Sequence, residues 1–227
     1  MPRNPLIAAA DLSDPDGAEE LARKLADLVA FMKIGLELFT AAGPSAVERV
    51  RRHTPVFLDL KLHDIPNTVR AAARNAGRLG VEMLTVHSLG GVDMVRAAVD
   101  GAEEGAAQIG APAPRVIAVT VLSSTAGEGL ASPASLAFEA TSAGAAGVVV
   151  SGEDVGAVRE ALGPGPTLVV PGIRPGGQPA NDHVRVLSPG EALELGADLI
   201  VVGRPITGAP DPAAAARAVL REVQVLS

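Results

Sequence analysis

The chain has 227 residues, 48% hydrophobic and 20% charged, a globular balance that argues against disorder. It has no cysteine, which rules out disulfides, thiolate metal sites and a cysteine nucleophile. A formal charge of -7, with 4 Phe and no Tyr or Trp, supplies neither the basic footprint nor the stacking platform of a nucleic-acid binder.

In chain order, short apolar runs alternate with longer Ala-rich amphipathic stretches. The expected strands are Leu6–Ala10, Phe31–Ile34, Val56–Leu60, Met83–Val86, Arg115–Val121, Gly147–Val150, Thr167–Val170 and Leu199–Val202. Such runs read as strands buried on both faces, as in a parallel sheet. The expected helices are Gly17–Leu28, Pro44–Arg52, Ile65–Leu79, Gly91–Ile109, Pro133–Ala143, Val155–Leu162, Pro189–Leu195 and Pro212–Val223. Ser132, Ser188 and Asp211 stand just before three helix-starting prolines, where N-caps belong. Eight βα repeats are more than an open doubly wound sheet usually carries, so the expectation is an α/β protein with a closed (β/α)8 TIM barrel. No composition break divides residues 1–227, and a single barrel domain is expected. Every charge-free stretch is shorter than the ~18 residues of a membrane helix. The first residues lack a signal-peptide pattern, so a soluble cytoplasmic protein is the default.

In such a barrel, chemistry gathers at the C-terminal ends of the strands. Charged and polar residues fall there repeatedly: Asp11, Lys33, Asp59, Lys61, Asp64, His87, Ser88, Ser123, Ser124, Arg174, Gly203 and Arg204. The densest run is Asp59 to Thr68, DLKLHDIPNT. Residues two apart on a strand share a face, so Asp59 and Lys61 are expected to point together into the mouth while Leu60 faces the helices. Asp64 follows in the loop, and Lys33 on the neighbouring strand can bridge the carboxylates. Taken alone, Asp-x-Lys is an ordinary rim ion pair; the whole run beside Lys33 is not. Of the 19 Lys and Arg residues, three are lysines (Lys24, Lys33 and Lys61), and two of these sit in this cluster. Arginine is a poor proton donor, whereas an ammonium fixed between carboxylates can donate a proton or stabilise a carbanion.

A second constellation joins Pro171 to Gly177, PGIRPGG, with Val201 to Pro205, VVGRP. These follow strands seven and eight, where barrels often hold phosphate, and Gly backbones with Arg donors suit an anion. The Gly- and Pro-rich stretch from Arg174 to Leu187 reads as a candidate lid. No His, Asp or Glu set has convincing metal spacing. His53 reads as a surface residue and His87 as a polar neighbour. Neither Ser123 nor Ser124 has a recognisable His/Asp partner motif, which leaves a serine-hydrolase reading weak.

The run DLKLHDIPNT closely resembles the signature of the orotidine 5′-monophosphate decarboxylases. LIAAADL, FMKIGLELF, VTVLSS, VVPGIRP and LIVVGRPI extend the resemblance along nearly the whole chain in the family's order. The resemblance implies a (β/α)8 barrel converting orotidine 5′-monophosphate to uridine 5′-monophosphate and carbon dioxide, the final step of de novo pyrimidine synthesis. It implies no cofactor and no metal, and a homodimer with shared active sites. It makes Lys61 the proton donor to C6, sets Asp59 against the substrate carboxylate, and has Lys33 link the carboxylates and the ribose. Asp64 and Thr68 would serve the neighbouring subunit's site, with Ile65 among the substrate contacts. Asp11 would bind ribose hydroxyls, Ser123 the pyrimidine, and Arg174, Gly203 and Arg204 the phosphate. The family usually places a Gln in its phosphate lid; here the stretch reads Asp182-His183-Val184-Arg185, so His183 by position, or Gln178 earlier in the loop, would take that place. The alternatives are a magnesium-dependent sugar-phosphate decarboxylase or aldolase-like barrel, and a catalytically silent nucleotide-binding barrel. The first normally holds its metal partly through an acidic residue near the second strand end, where this chain has Lys33.

Overall fold

A computed structural model describes residues 4–121, 131–176 and 187–224. Eight parallel strands form a closed barrel in sequence order, and the last pairs with the first through Leu6↔Ile200, Ile7↔Val201 and Ala8↔Val202. The strands are β1 (Leu6–Ala9), β2 (Phe31–Gly35), β3 (Val56–Leu62), β4 (Met83–His87), β5 (Arg115–Val119), β6 (Gly147–Val149), β7 (Thr167–Val170) and β8 (Leu199–Val202). The helices are α1 (Pro15–Leu25), α2 (Leu36–Ala42), α3 (Pro44–Val50), α4 (Pro66–Arg78), α5 (Gly91–Gln108), α6 (Pro133–Ser142), α7 (Val155–Leu162), α8 (Pro189–Glu194), α9 (Arg204–Thr207) and α10 (Pro212–Gln224). The barrel and its eight main βα repeats are as expected.

Several element boundaries differ. Two short helices, α2 and α9, have no counterpart among the expected elements; each follows its strand directly, and at seven and four residues neither is long enough to show a helical period. Gly43, at φ 59°, breaks α2 from α3 in a backbone conformation that favours glycine. Strands β1 and β5 stop short of Ala10 and Val121, while β3 runs past Leu60 to Leu62.

Each strand is buried on both faces, and the two-residue period sorts its side chains. Even-numbered Leu6, Ala8, Met32, Ile34, Leu58, Leu84, Val116 and Ile200 join the large layer between barrel and helices. Odd-numbered Ile7, Phe31, Phe57, Met83, Ile117, Val169 and Leu199 fill the barrel itself. Further along the strands, the same inward parity reaches Lys33, Asp59 and Thr85. The barrel therefore has an apolar floor and a charged mouth.

Helices α4 and α5 meet almost backbone to backbone. A Cβ added at Gly101 or Gly105 would collide with the carbonyl oxygens of Arg70 and Arg74, and one at Gly77 with that of Ala102. Arg70 also pairs with Glu104 across the contact. These contacts hold α4 against α5 from Arg70 to Gly77.

Candidate active site

Four charged groups from three strands meet at the mouth. The Lys33 ammonium lies 3.0 Å from Asp11 Oδ1 and 3.6 Å from Asp59 Oδ2. Lys61 Nζ donates to both oxygens of Asp59 at 2.9 Å. Asp59 and Lys33 are largely enclosed, with side chains 12% and 13% exposed, whereas half of Asp11 remains open to a ligand. The pairing follows from the register, which sets Ala9 beside Lys33 and Gly35 beside Asp59. Gly35 leaves room for the lysine, since a Cβ there would stand 3.0 Å from Lys33 Nζ.

Lys61 is the one non-glycine residue with positive φ among the described residues, at 49°. The β3–β4 register shifts between Leu58 and Leu62, so the strand bulges at this point. Asp59 and Lys61 do face one another, as alternation predicts, but through a bulged backbone rather than a regular strand. A side chain in the left-handed region costs about 1–2 kcal/mol, and such strain at a candidate site is an observation to explain. Fully buried Thr85 on β4 supports it: its hydroxyl accepts from Lys61 N–H at 2.8 Å and donates to Asp59 Oδ1 at 2.9 Å. Sequence reading passed over Thr85. Its place midway between Met83 and His87 was the available signal, because alternation puts all three on the inner face.

Beyond β3, residues 63–68 are all exposed. Asp64 Oδ1 accepts from Ile65 N–H at 2.7 Å, and Ile65 itself is 66% exposed. The Asp64 carboxylate is thus engaged with its own loop backbone, on an exposed stretch. His63 stacks on His87 with ring centroids 5.2 Å apart. His87 accepts from Leu89 N–H, and burial, then His63 and Lys61, push its imidazole below the usual histidine range. His53 is half-buried and faces Glu19.

The second constellation converges on the same mouth. A Cβ at Gly203 would stand 3.5 Å from Asp11 Oδ2, which brings the end of β8 against the ribose-binding candidate. Arg204 opens α9 immediately after it. Arg174 follows β7, and its backbone N–H donates to Leu187 O at 3.1 Å, tying together the two ends of the candidate lid. The Arg174 side chain is buried, and its Nε has no hydrogen-bond partner. A buried guanidinium with an open donor fits an anion that arrives with a ligand. Ser123, Ser124, Gln178 and His183 lie outside the described residues. Among the described residues, no group of three or more His, Asp or Glu side chains is placed to hold a metal ion.

A sequence model of the orotidine 5′-phosphate decarboxylase / HUMPS family matches residues 4–219. The chain belongs to this family. It is 52% identical over 229 residues to the orotidine 5′-phosphate decarboxylase of Anaeromyxobacter sp. (strain K), covering 96% of this chain and 97% of that protein. It is 46% identical over 236 residues to the Moorella thermoacetica orotidine 5′-phosphate decarboxylase, covering 99% and 94%. Among solved structures, the Lactobacillus acidophilus orotidine 5′-phosphate decarboxylase superposes with a TM-score of 0.82 at 36% identity, covering 97% of this chain and 99% of that one. Family membership and the closed barrel agree with what the signature implied.

Proposed function

We propose that this chain decarboxylates orotidine 5′-monophosphate to uridine 5′-monophosphate and carbon dioxide, the last step of de novo pyrimidine nucleotide synthesis. The observation that carries this reading is the Lys61 ammonium held at 2.9 Å from both Asp59 oxygens at the mouth of the barrel. It is supported by relatives named for that activity over nearly the full chain.

The chemical difficulty is that breaking the C6–carboxylate bond leaves an electron pair in the ring plane, where no ring carbonyl can delocalise it. In this reading the Lys61 ammonium stabilises that charge as it develops and delivers a proton to C6, becoming a neutral amine that regains its proton from solvent. Asp59 lies against the departing carboxylate and orients Lys61. Lys33 holds Asp59 and Asp11 together, and Asp11 binds ribose hydroxyls. Arg174, Gly203 and Arg204 grip the phosphate, whose binding energy aligns the distant base. Ser123 and His183 complete the base and lid contacts.

Residues 1–227 act as one barrel unit, and two chains form a homodimer that shares its sites. The exposed run of Asp64, Ile65 and Thr68 supports this arrangement, because these residues belong to the signature yet are open on the surface of a single chain. No cofactor or metal is used. Lys33 places a cation beside the carboxylates where the magnesium-dependent barrels hold an acidic residue, and like charge there disfavours a divalent ion. No described helix is long and apolar enough to cross a membrane, and the substrate is a soluble nucleotide, so the cytoplasm is the proposed location.

The test is loss of orotidine 5′-monophosphate absorbance with purified protein in excess chelator. Turnover that persists supports the reading. Turnover abolished by chelator favours a magnesium-dependent barrel, and uridine 5′-monophosphate binding without turnover favours the silent one.

A further inference from the structure

The buried hydroxyls of the barrel do different work. Thr54 donates to Ala22 O, Ser88 to Val119 O and Thr120 to Val149 O, each serving the backbone. Among the buried hydroxyls of the described residues, Thr85 is the one whose proton goes to a side-chain carboxylate, that of Asp59. The direction of this bond is fixed. A threonine hydroxyl has one proton, and the Lys61 N–H can only donate. Thr85 Oγ1 accepts from that N–H at 2.8 Å, so its own proton is left for Asp59 Oδ1 at 2.9 Å.

Both ends of this link matter. Asp59 Oδ1 accepts from Thr85 and Lys61, while Oδ2 accepts from Lys61 and faces Lys33. Thr85 therefore sets the rotation of the carboxylate, with both oxygens turned to Lys61 and Oδ2 to Lys33. At the other end, the bulge between Leu58 and Leu62 takes Lys61 out of the regular β3–β4 pairing. Thr85 replaces the lost acceptor for the Lys61 N–H and holds the left-handed backbone from which the side chain turns back to Asp59.

We propose that Thr85 is a positioning residue, a single hydroxyl that fixes both members of the Lys61–Asp59 pair without touching substrate. The proposal rests on the decarboxylase reading for its kinetic consequence, though its geometric consequence does not depend on that reading.

Two hydroxyl-free variants, Thr85→Val and Thr85→Ala, are compared with Thr85→Ser. A reacting group misplaced by about 1 Å can cost ~100-fold in rate, so kcat is expected to fall about 10- to 100-fold in the Val and Ala variants. KM and uridine 5′-monophosphate affinity are expected to change less than about threefold, since phosphate and ribose contacts remain. The Ser variant retains at least about half of kcat, because it keeps the donor and acceptor. Independently of turnover, amide hydrogen exchange at Lys61 should quicken at least about tenfold in the Val and Ala variants and stay near wild type in Ser. If the Val variant does not fold, Ala carries the comparison. Unchanged Lys61 exchange without the hydroxyl overturns the proposal, as does equal loss of kcat in Ser and Val. A wild-type protein that leaves orotidine 5′-monophosphate intact sinks the decarboxylase reading alone, and the exchange measurement then decides the role of Thr85.

Discussion

Lys61 turns back on Asp59 from a bulged strand, its Nζ equidistant from the two carboxylate oxygens at 2.9 Å. An ammonium so held stays oriented before any ligand arrives, and the cost of ordering it is met by folding rather than by binding. Lys33 also faces Asp59 Oδ2, at 3.6 Å, so the carboxylate remains paired when Lys61 moves toward a substrate.

Replacement of Lys61 by alanine removes both proton delivery and charge stabilisation. Such contributions are worth about 10²–10⁴ and 10²–10³ respectively, so kcat should fall by more than about 10⁴-fold. Uridine 5′-monophosphate should still bind within about tenfold of wild type, because the phosphate contacts are remote. Isothermal titration beside the absorbance assay checks both; a variant with a tenth of wild-type kcat would remove Lys61 from the chemistry.

Gly35→Ala tests the spacing around Lys33. Gly35 has an ordinary extended backbone, with φ -94° and ψ -174°, so the fold should tolerate the methyl. The new Cβ stands 3.0 Å from Lys33 Nζ and 3.5 Å from Asp11 Oδ1, so the lysine must shift. The expected result is an unfolding free energy lowered by about 1 kcal/mol, the low end of overpacking because the crowded atom ends a flexible side chain, and a kcat/KM lowered about tenfold.

Shared sites predict complementation. Lys61→Ala and Asp64→Asn proteins should each be nearly inactive alone. Mixed and allowed to exchange subunits, they form hybrid dimers in which one site keeps an intact Lys61 and receives an intact Asp64. Random reassortment of equal amounts restores about a quarter of wild-type activity. No recovery, with exchange confirmed by native mass spectrometry, would mean each chain builds its site alone.

His87 should give the fold a dependence on pH. Burial, followed by His63 and Lys61, holds its imidazole below the ordinary value of 6.5. The folded protein therefore keeps His87 neutral where the unfolded chain takes up a proton. Stability from this group is complete above pH 6.5 and declines as the pH falls below it, until the folded state also protonates. Urea unfolding at pH 7.5 and 5.5 should show a smaller acid loss in His87→Asn than in wild type.

Packing between α4 and α5 sets a different limit. Gly105→Ala forces a methyl against the Arg74 carbonyl oxygen, a backbone collision that no rotamer relieves. Overpacking of this kind costs about 1–3 kcal/mol or more, and the loop bearing Asp64 moves with α4. A lower unfolding midpoint in thermal denaturation, together with weaker dimerisation, is the expected outcome.

How far the sequence reached can be judged at particular residues. Alternation placed Asp59 and Lys61 on the inner face and Leu60 toward the helices, because it is a local property of extended backbone. The same rule could have found Thr85 and did not, since a single threonine in an apolar strand carries no chemical signal of its own. Helices α2 and α9 were illegible because each continues directly from its strand over seven and four residues, too few to show a helical period.

The sequence by itself determined the barrel, the signature run and the identities of the groups at the mouth, because strand period, helix starts and residue chemistry are written locally. The tertiary structure alone decided the contacts: that Lys33 meets Asp11 and Asp59, that Lys61 sits on a bulge at positive φ, and that Thr85 joins it to Asp59. These depend on the register between neighbouring strands and on closure of β8 against β1. Both are set by how the apolar layers fill space around the whole barrel, which no single segment encodes.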